Sequence, residues 1–142
     1  WSVWALSNRN DLNPAQLSCG FENLPYTRLD RSSSATRGHW ASTRIAPSGF
    51  TVEQSYRLFR DEPPGAVMLY ECRAGQHNLV SRAVTCEGLE NLGPLGYAYT
   101  APTAGAEALY RCRIGAGTDH FISPSAACEG QTTEQLLGYV IP

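Results

Sequence analysis

One stretch of about twenty residues is written twice in this chain, as LYECRAGQHNLVSRAVTCEG at 69–88 and as LYRCRIGAGTDHFISPSAACEG at 109–130. A unit with an offset of 40 residues is too short to bury an apolar face of its own, so units of this period must share a core. That constraint removes most architectures before any single residue is considered.

The same beat continues outside the quoted pair. Tyr56, Tyr97 and Tyr139, in SYRLF, GYAYT and GYVIP, fall at intervals of 41 and 42. Tyr26, Tyr70 and Tyr110, in PYTRL, LYEC and LYRC, fall at 44 and 40, and His39, His77 and His120 follow at 38 and 43. TVEQSY and TTEQLLGY precede two of the closing tyrosines. Three copies of about 42 residues therefore cover 25–66, 67–106 and 107–142, and the first lacks both cysteines. Residues 1–24 stand apart: LSCGFENL echoes VTCEGLENL as the remnant of an earlier copy, or the segment is an arm across a barrel base anchored by Trp1 and Trp4.

VMLYEC, LVSRAVTC, YAYT, ALYRCRI, HFIS and GYVIP are short and rich in Val, Ile, Tyr and Phe, which predicts strands. EPPGA and APTAGA separate the copies, while IAPSG and IGAGTD break them internally. No 3.6-residue apolar period lasts beyond about two turns, which excludes a helical solenoid. TTEQLL is the one candidate for a short helix or a 3₁₀ turn. The class is all-β, and a closed arrangement is favoured because it removes the exposed edges of short strands.

Three copies of about 40 residues with about four short strands each resemble a β-trefoil, the fold of ricin-B-type lectins and cytokines. There six strands make a barrel and three hairpins cap it around a pseudo-threefold axis; the Gln-x-Trp signature of the ricin type is absent here. A closer resemblance is to a bacterial secreted repeat that reads L-Y-R, then D-H-F, then a G-Y ending, and is often appended to extracellular hydrolases. LYRC, DHFIS and LLGYV at 109–140 carry it, with QHNLVS and GHWAS in place of DHFIS in the other copies. This resemblance implies location and architecture rather than an activity.

At 142 residues, 42% hydrophobic and 17% charged, the chain is sized for one packed domain. No apolar run approaches the roughly 20 residues that cross a bilayer. All eleven basic residues are Arg, yet the net charge is −2 with no basic block, so a nucleic-acid partner has little support. Five cysteines, two pairs of them in matching places, fit an oxidised compartment, hence a secreted protein that begins here in mature form or as part of a longer chain.

Cys72 and Cys86 take the same relative places as Cys112 and Cys128, which predicts one disulfide within each copy. Zinc is the rival, but four thiolates ordinarily arrive as CxxC pairs and none occurs. Cys19 is left over, buried or bonded to another segment or chain.

Carbohydrate recognition needs a flat apolar face and a few fixed polar groups. Asp119, His120, Phe121 and Tyr110 supply such a set in the third copy, Tyr70, His77 and Asn78 in the second, and Tyr26, His39 and Trp40 in the first. Three weak sites on one rigid body would gain by avidity. The competing readings are that the histidines fix turns and the aromatics fill the core, or that the three imidazoles meet at a metal. Glu87 and Glu129, each in CEG, are expected to accept backbone hydrogen bonds in a turn, with ligand binding as the alternative. No GxSxG, HExxH or phosphate-cradling glycine loop is present, so neither catalysis nor a cofactor is indicated. The sequence reads as an extracellular, lectin-like carbohydrate- or glycoconjugate-binding module, either a small lectin or the accessory domain of a secreted hydrolase. The alternative is a protein-binding trefoil such as a protease inhibitor, acting through RDEPPGA or RSSSATRG.

Overall fold

Nine antiparallel strands and two 3₁₀ turns make up the regular structure of residues 25–142, the part of the chain that this computed structural model describes. The expectations placed on Trp1, Trp4 and Cys19 lie outside the described residues. The strands are β1 (Tyr26–Ser34), β2 (Gly38–Ser42), β3 (Thr51–Phe59), β4 (Ala66–Ala74), β5 (His77–Ser81), β6 (Glu90–Tyr99), β7 (Glu107–Arg113), β8 (His120–Ser123) and β9 (Thr132–Val140). The class is all-β, with three strands in each segment rather than four. Two local readings are corrected. The end of LVSRAVTC leaves the sheet at Ser81 and runs into a 3₁₀ turn at Cys86–Gly88, and TTEQLL is extended inside β9. Pairing with β7 outweighs the local preference of TTEQLL, because a ladder running from Thr132 to Val140 gives this stretch backbone partners that a lone helical turn would lack.

In each segment the first strand is central. β1 pairs with β2 and β3, β4 with β5 and β6, and β7 with β8 and β9. The third strands then meet one another through single bridges: Phe59 with Tyr97, Tyr99 with Tyr139, and Ile141 with Arg57. These three bridges link β3 to β6, β6 to β9, and the residue after β9 back to β3. Inside lies one apolar cluster made of register-matched sets: Leu29, Leu69 and Leu109; Ala41, Val80 and Ile122; Leu58, Ala98 and Val140. All nine are essentially buried.

The register departs from the count of residues along the chain. Hairpin turns of three, two and four residues separate Ser34 from Gly38, Ala74 from His77 and Ile114 from Asp119. Asn78, not His77, is therefore level with His39 and His120, and His77 is level with Gly38 and Asp119. Likewise Arg57, not Tyr56, is level with Tyr97 and Tyr139. Tyr26 is level with Ala66, four residues from the position of Tyr70 and Tyr110.

This register explains the G-Y pairs. A Cβ on Gly96 would stand 2.8 Å from Leu58 Cβ, and one on Gly138 would stand 2.8 Å from the Tyr99 carbonyl, so both glycines let the preceding segment's third strand pack against backbone. In the first segment the matching residue is Tyr56, whose ring is fully buried in the shared core and whose hydroxyl donates to Gln54 Oε1 at 2.8 Å. Burial pushes its phenol up to about 12.

Two disulfides, Cys72–Cys86 and Cys112–Cys128, tie the first strand of the second and third segments to the 3₁₀ turn that follows the hairpin. Closing loops of this size contributes about 3 kcal/mol each in the chain-entropy view. In both turns the Cys and the Glu of CEG adopt left-handed φ values of 52–56°, which costs non-glycine residues roughly 1–2 kcal/mol apiece. The strained turn has a use: it aims a carboxylate at the neighbouring segment.

Glu129 receives Arg31 at 2.6 Å and Ser123 at 2.7 Å; Glu87 receives Arg111 at 2.8 Å and also accepts from Ser81. The partners are thus side chains, not the backbone N–H groups expected from the sequence. The same arginines donate to the Ile122 and Val80 carbonyls, and each pairs with a second acid, Arg31 with Glu53 and Arg111 with Glu134. Hydrogen bonding to Arg111 and Arg31 holds Glu87 and Glu129 down at about 2. The remaining seam is reversed in charge. Glu71 stands level with Arg31 and Arg111, and the first segment, having no CEG turn, answers it with Arg44 at 2.7 Å and Ser42 at 2.7 Å. Asn78 closes this seam, donating to Glu71 and to the Ala41 carbonyl and accepting from the Ala41 N–H.

Candidate functional site

The second strands β2, β5 and β8 pack against one another as well as against their hairpin partners, so the three hairpin turns converge at one end of the core. Side chains of the third segment there reach the hairpins of the other two. Asp119, at the entry to β8, accepts the backbone N–H of His39 at 2.9 Å across 80 residues of chain. Its second oxygen lies 3.3 Å from His39 Nδ1, and its first lies 4.0 Å from His77 Nε2. His77 is fixed in turn by a 2.8 Å contact between Nδ1 and Thr118 Oγ1.

Gly38, His77 and Asp119, level in register, therefore stand together in space. Gly38 has φ +84°, and a Cβ there would lie 2.6 Å from Asp119 Oδ1. The missing side chain is the room in which the carboxylate sits. Around the three lies a cavity of about 450 Å³ completed by Thr36, Arg37 and Gln76. Its polar complement is one carboxylate, one imidazole, one carboxamide, one guanidinium and one hydroxyl. Arg37 is oriented by a 3.1 Å bond to the Ser48 carbonyl and by stacking over Phe50 at 5.0 Å.

Of the residues expected to bind ligand, Asp119 and His77 line this cavity and His39 lies directly behind Asp119. The others are elsewhere. His120 is buried, its Nδ1 2.7 Å from the Thr118 carbonyl and its Nε2 3.1 Å from Glu134, so it faces away from the other two imidazoles. Among the described residues no group of three His, Cys, Asp or Glu is placed to hold a metal ion. Phe121 is buried against Cys112 and Cys128, with Arg31 over its face at 4.8 Å and the His39 ring at 5.1 Å. Asn78 is spent on the reversed seam. Tyr70 and Tyr110 pack on the two disulfide clusters, and Tyr26 sits at the far end of β1 against Phe59 at 5.3 Å. Trp40 lies in a separate groove. The structure thus gathers parts of three expected sites at one cavity, sets Trp40 in a groove of its own and packs the others elsewhere.

Gly38, Arg37, Gln76 and Thr118 were not singled out by sequence reasoning. The signal for Gly38 was GHWAS aligned with DHFIS, in which a glycine stands where the third copy has its acid.

Comparisons with protein-family models, with curated proteins and with solved structures returned no match. The cavity is accordingly read from its own geometry.

Proposed function

We propose that the protein is an extracellular carbohydrate-binding module, built from three β-trefoil-like copies of the secreted L-Y-R/D-H-F/G-Y kind, with one principal site at the end where the hairpin turns meet. The observation that carries this reading is the convergence of Asp119 and His77, with Gln76 and Arg37, on one cavity of about 450 Å³. A sugar presents several hydroxyls in fixed directions, each both donor and acceptor. A site that recognises it needs a preset mixture of carboxylate acceptor, amide and imidazole rather than one strong charge. Asp119 is preset by the His39 N–H, so little side-chain entropy is lost on binding.

The register-matched triplets of the core and the three bridges that close on one another support the threefold reading. Two buried disulfides support an oxidising, extracellular setting. A binding role is favoured over a catalytic one because Asp119 is the one carboxylate among the described residues that lines the cavity, and glycoside hydrolysis ordinarily employs two.

The test is a glycan-array screen of the intact protein beside Asp119→Asn and His77→Ala variants of confirmed fold. Binding to a common glycan that falls at least tenfold in both variants supports the reading. Silence across the array, or binding untouched by both changes, overturns it and directs attention to protein partners.

A further inference from the structure

Trp40, Leu79 and Phe121 are level in register, yet they meet different fates. Leu79 and Phe121 are covered by the turns that the disulfides pin down. The first segment has no cysteines, and the stretch after β2 stands off, leaving Trp40 half-buried with its edge on Phe50 at 6.0 Å. A groove of about 310 Å³ opens there between the first and second segments, with Trp40, Ile45, Pro47 and Leu92 as its apolar walls. Ile45 is 99% exposed, which no core requirement explains.

Two guanidinium groups also line the groove. Arg44 is 60% exposed and spends Nη2 on Glu71 and on the Leu92 carbonyl; Arg73 is 51% exposed and spends Nε on Glu90. Their remaining N–H groups make no further bond within the described residues. A planar fork with donors to spare is matched to a carboxylate. Glu71 also lines the groove, but it is 3% exposed and its oxygens are already taken by Ser42, Arg44 and Asn78.

An extended peptide is a poor fit. It would have to add to an edge strand, and on β2 the Ala41 N–H and C=O are both already bonded by Asn78. What remains is a small rigid group. The volume lies at the low end of the roughly 300–1,000 Å³ typical of ligand sites, room for about one ring.

We infer that the Trp40 groove is a second ligand site, distinct from the cavity at Asp119, for a pyranose ring bearing a carboxylate, that is, a hexuronate. The ring packs on Trp40 and Ile45, its carboxylate takes the free donors of Arg44 and Arg73, and the Leu92 carbonyl accepts a hydroxyl with its second lone pair. This names an acidic class of sugar and rests on the carbohydrate reading above.

The experiment is an amide and indole NMR titration of the whole protein with methyl glucuronide, against methyl glucoside, sodium acetate and a carboxyl-terminated hydrophobic tripeptide. The expected result is an affinity for the glucuronide at least tenfold above that for the glucoside or acetate. It should fall at least tenfold in Trp40→Ala and severalfold in Arg73→Gln, and be unchanged in Asp119→Asn. Equal affinity for glucoside or acetate, tighter binding of the tripeptide, or indifference to Arg73→Gln would each overturn the proposal. Arg73 is exposed, so that variant remains informative if Trp40→Ala fails to fold. Glucuronide binding retained in a protein silent toward neutral glycans would sink the Asp119 site alone; the reverse pattern would sink the groove alone.

Discussion

Gly38 and Asp119 are 81 positions apart, yet a single methyl group on the glycine would occupy the space held by the carboxylate, 2.6 Å from its Oδ1. Gly38→Ala must therefore either expel Asp119 from its bond to the His39 N–H or move the β1–β2 turn, and it strains a backbone at φ +84°. A loss of about 1–3 kcal/mol is expected, from the left-handed strain and one charge-assisted bond. Thermal unfolding and the amide shift of His39 measure it; an unchanged shift would show that the carboxylate had not moved.

Gly138→Ala should be worse. Its Cβ would meet the Tyr99 carbonyl at 2.8 Å and Ala98 Cβ at 2.9 Å, atoms of a neighbouring strand that cannot rotate away. Separating β9 from β6 here opens the shared core, so a cost of about 2–4 kcal/mol is expected, in the range of core disruptions. A variant as stable as the parent in urea would refute the close approach.

Acid should unfold the protein in a defined window. Glu87 and Glu129 are held at about 2 by Arg111 and Arg31, below the ordinary 4.5. Groups with depressed values contribute stability that is whole above about pH 4.5 and is lost as pH falls toward 2. Urea unfolding at pH 6, 4, 3 and 2 should show that decline, and it should be shallower in Glu129→Gln. Because both carboxylates are well exposed, the effect is screened and should weaken in 0.5 M salt.

The reversed seam offers a double-mutant test. Glu71→Arg places a cation beside Arg44 in a buried setting and should cost about 3–5 kcal/mol. Adding Arg44→Glu should recover much of that loss, a coupling of at least about 1 kcal/mol. Additive losses would mean that the two side chains do not form one unit.

Much of the fold was legible because burial repeats with the backbone. Leu29, Leu69 and Leu109 mark the central strands, and the matched cysteines announced both disulfides. What misled was counting. Turns of three, two and four residues shift the hairpins against one another, so His77 was placed with His39 and His120 when its level partners are Gly38 and Asp119. A bulge, likewise, contributes to the sequence count without advancing the register, and β6 and β9 each carry two such irregularities against one in the first segment, which hid the match of Tyr56 with Gly96 and Gly138. The cavity itself was half visible. Asp119 was chosen from its motif, but the glycine that admits it matters through an absent atom, and its one trace in the sequence is the glycine of GHWAS standing where DHFIS has its acid.

Two seams place arginine on the first strand and glutamate on the turn beyond; the third exchanges the signs. The segments therefore carry something like a lock with one ward cut opposite to the other two. Joining them in the other cyclic order would set Arg111 against Arg44 and Glu71 against Glu129. Segments that share one register, and could otherwise trade places during folding, are in this way told apart.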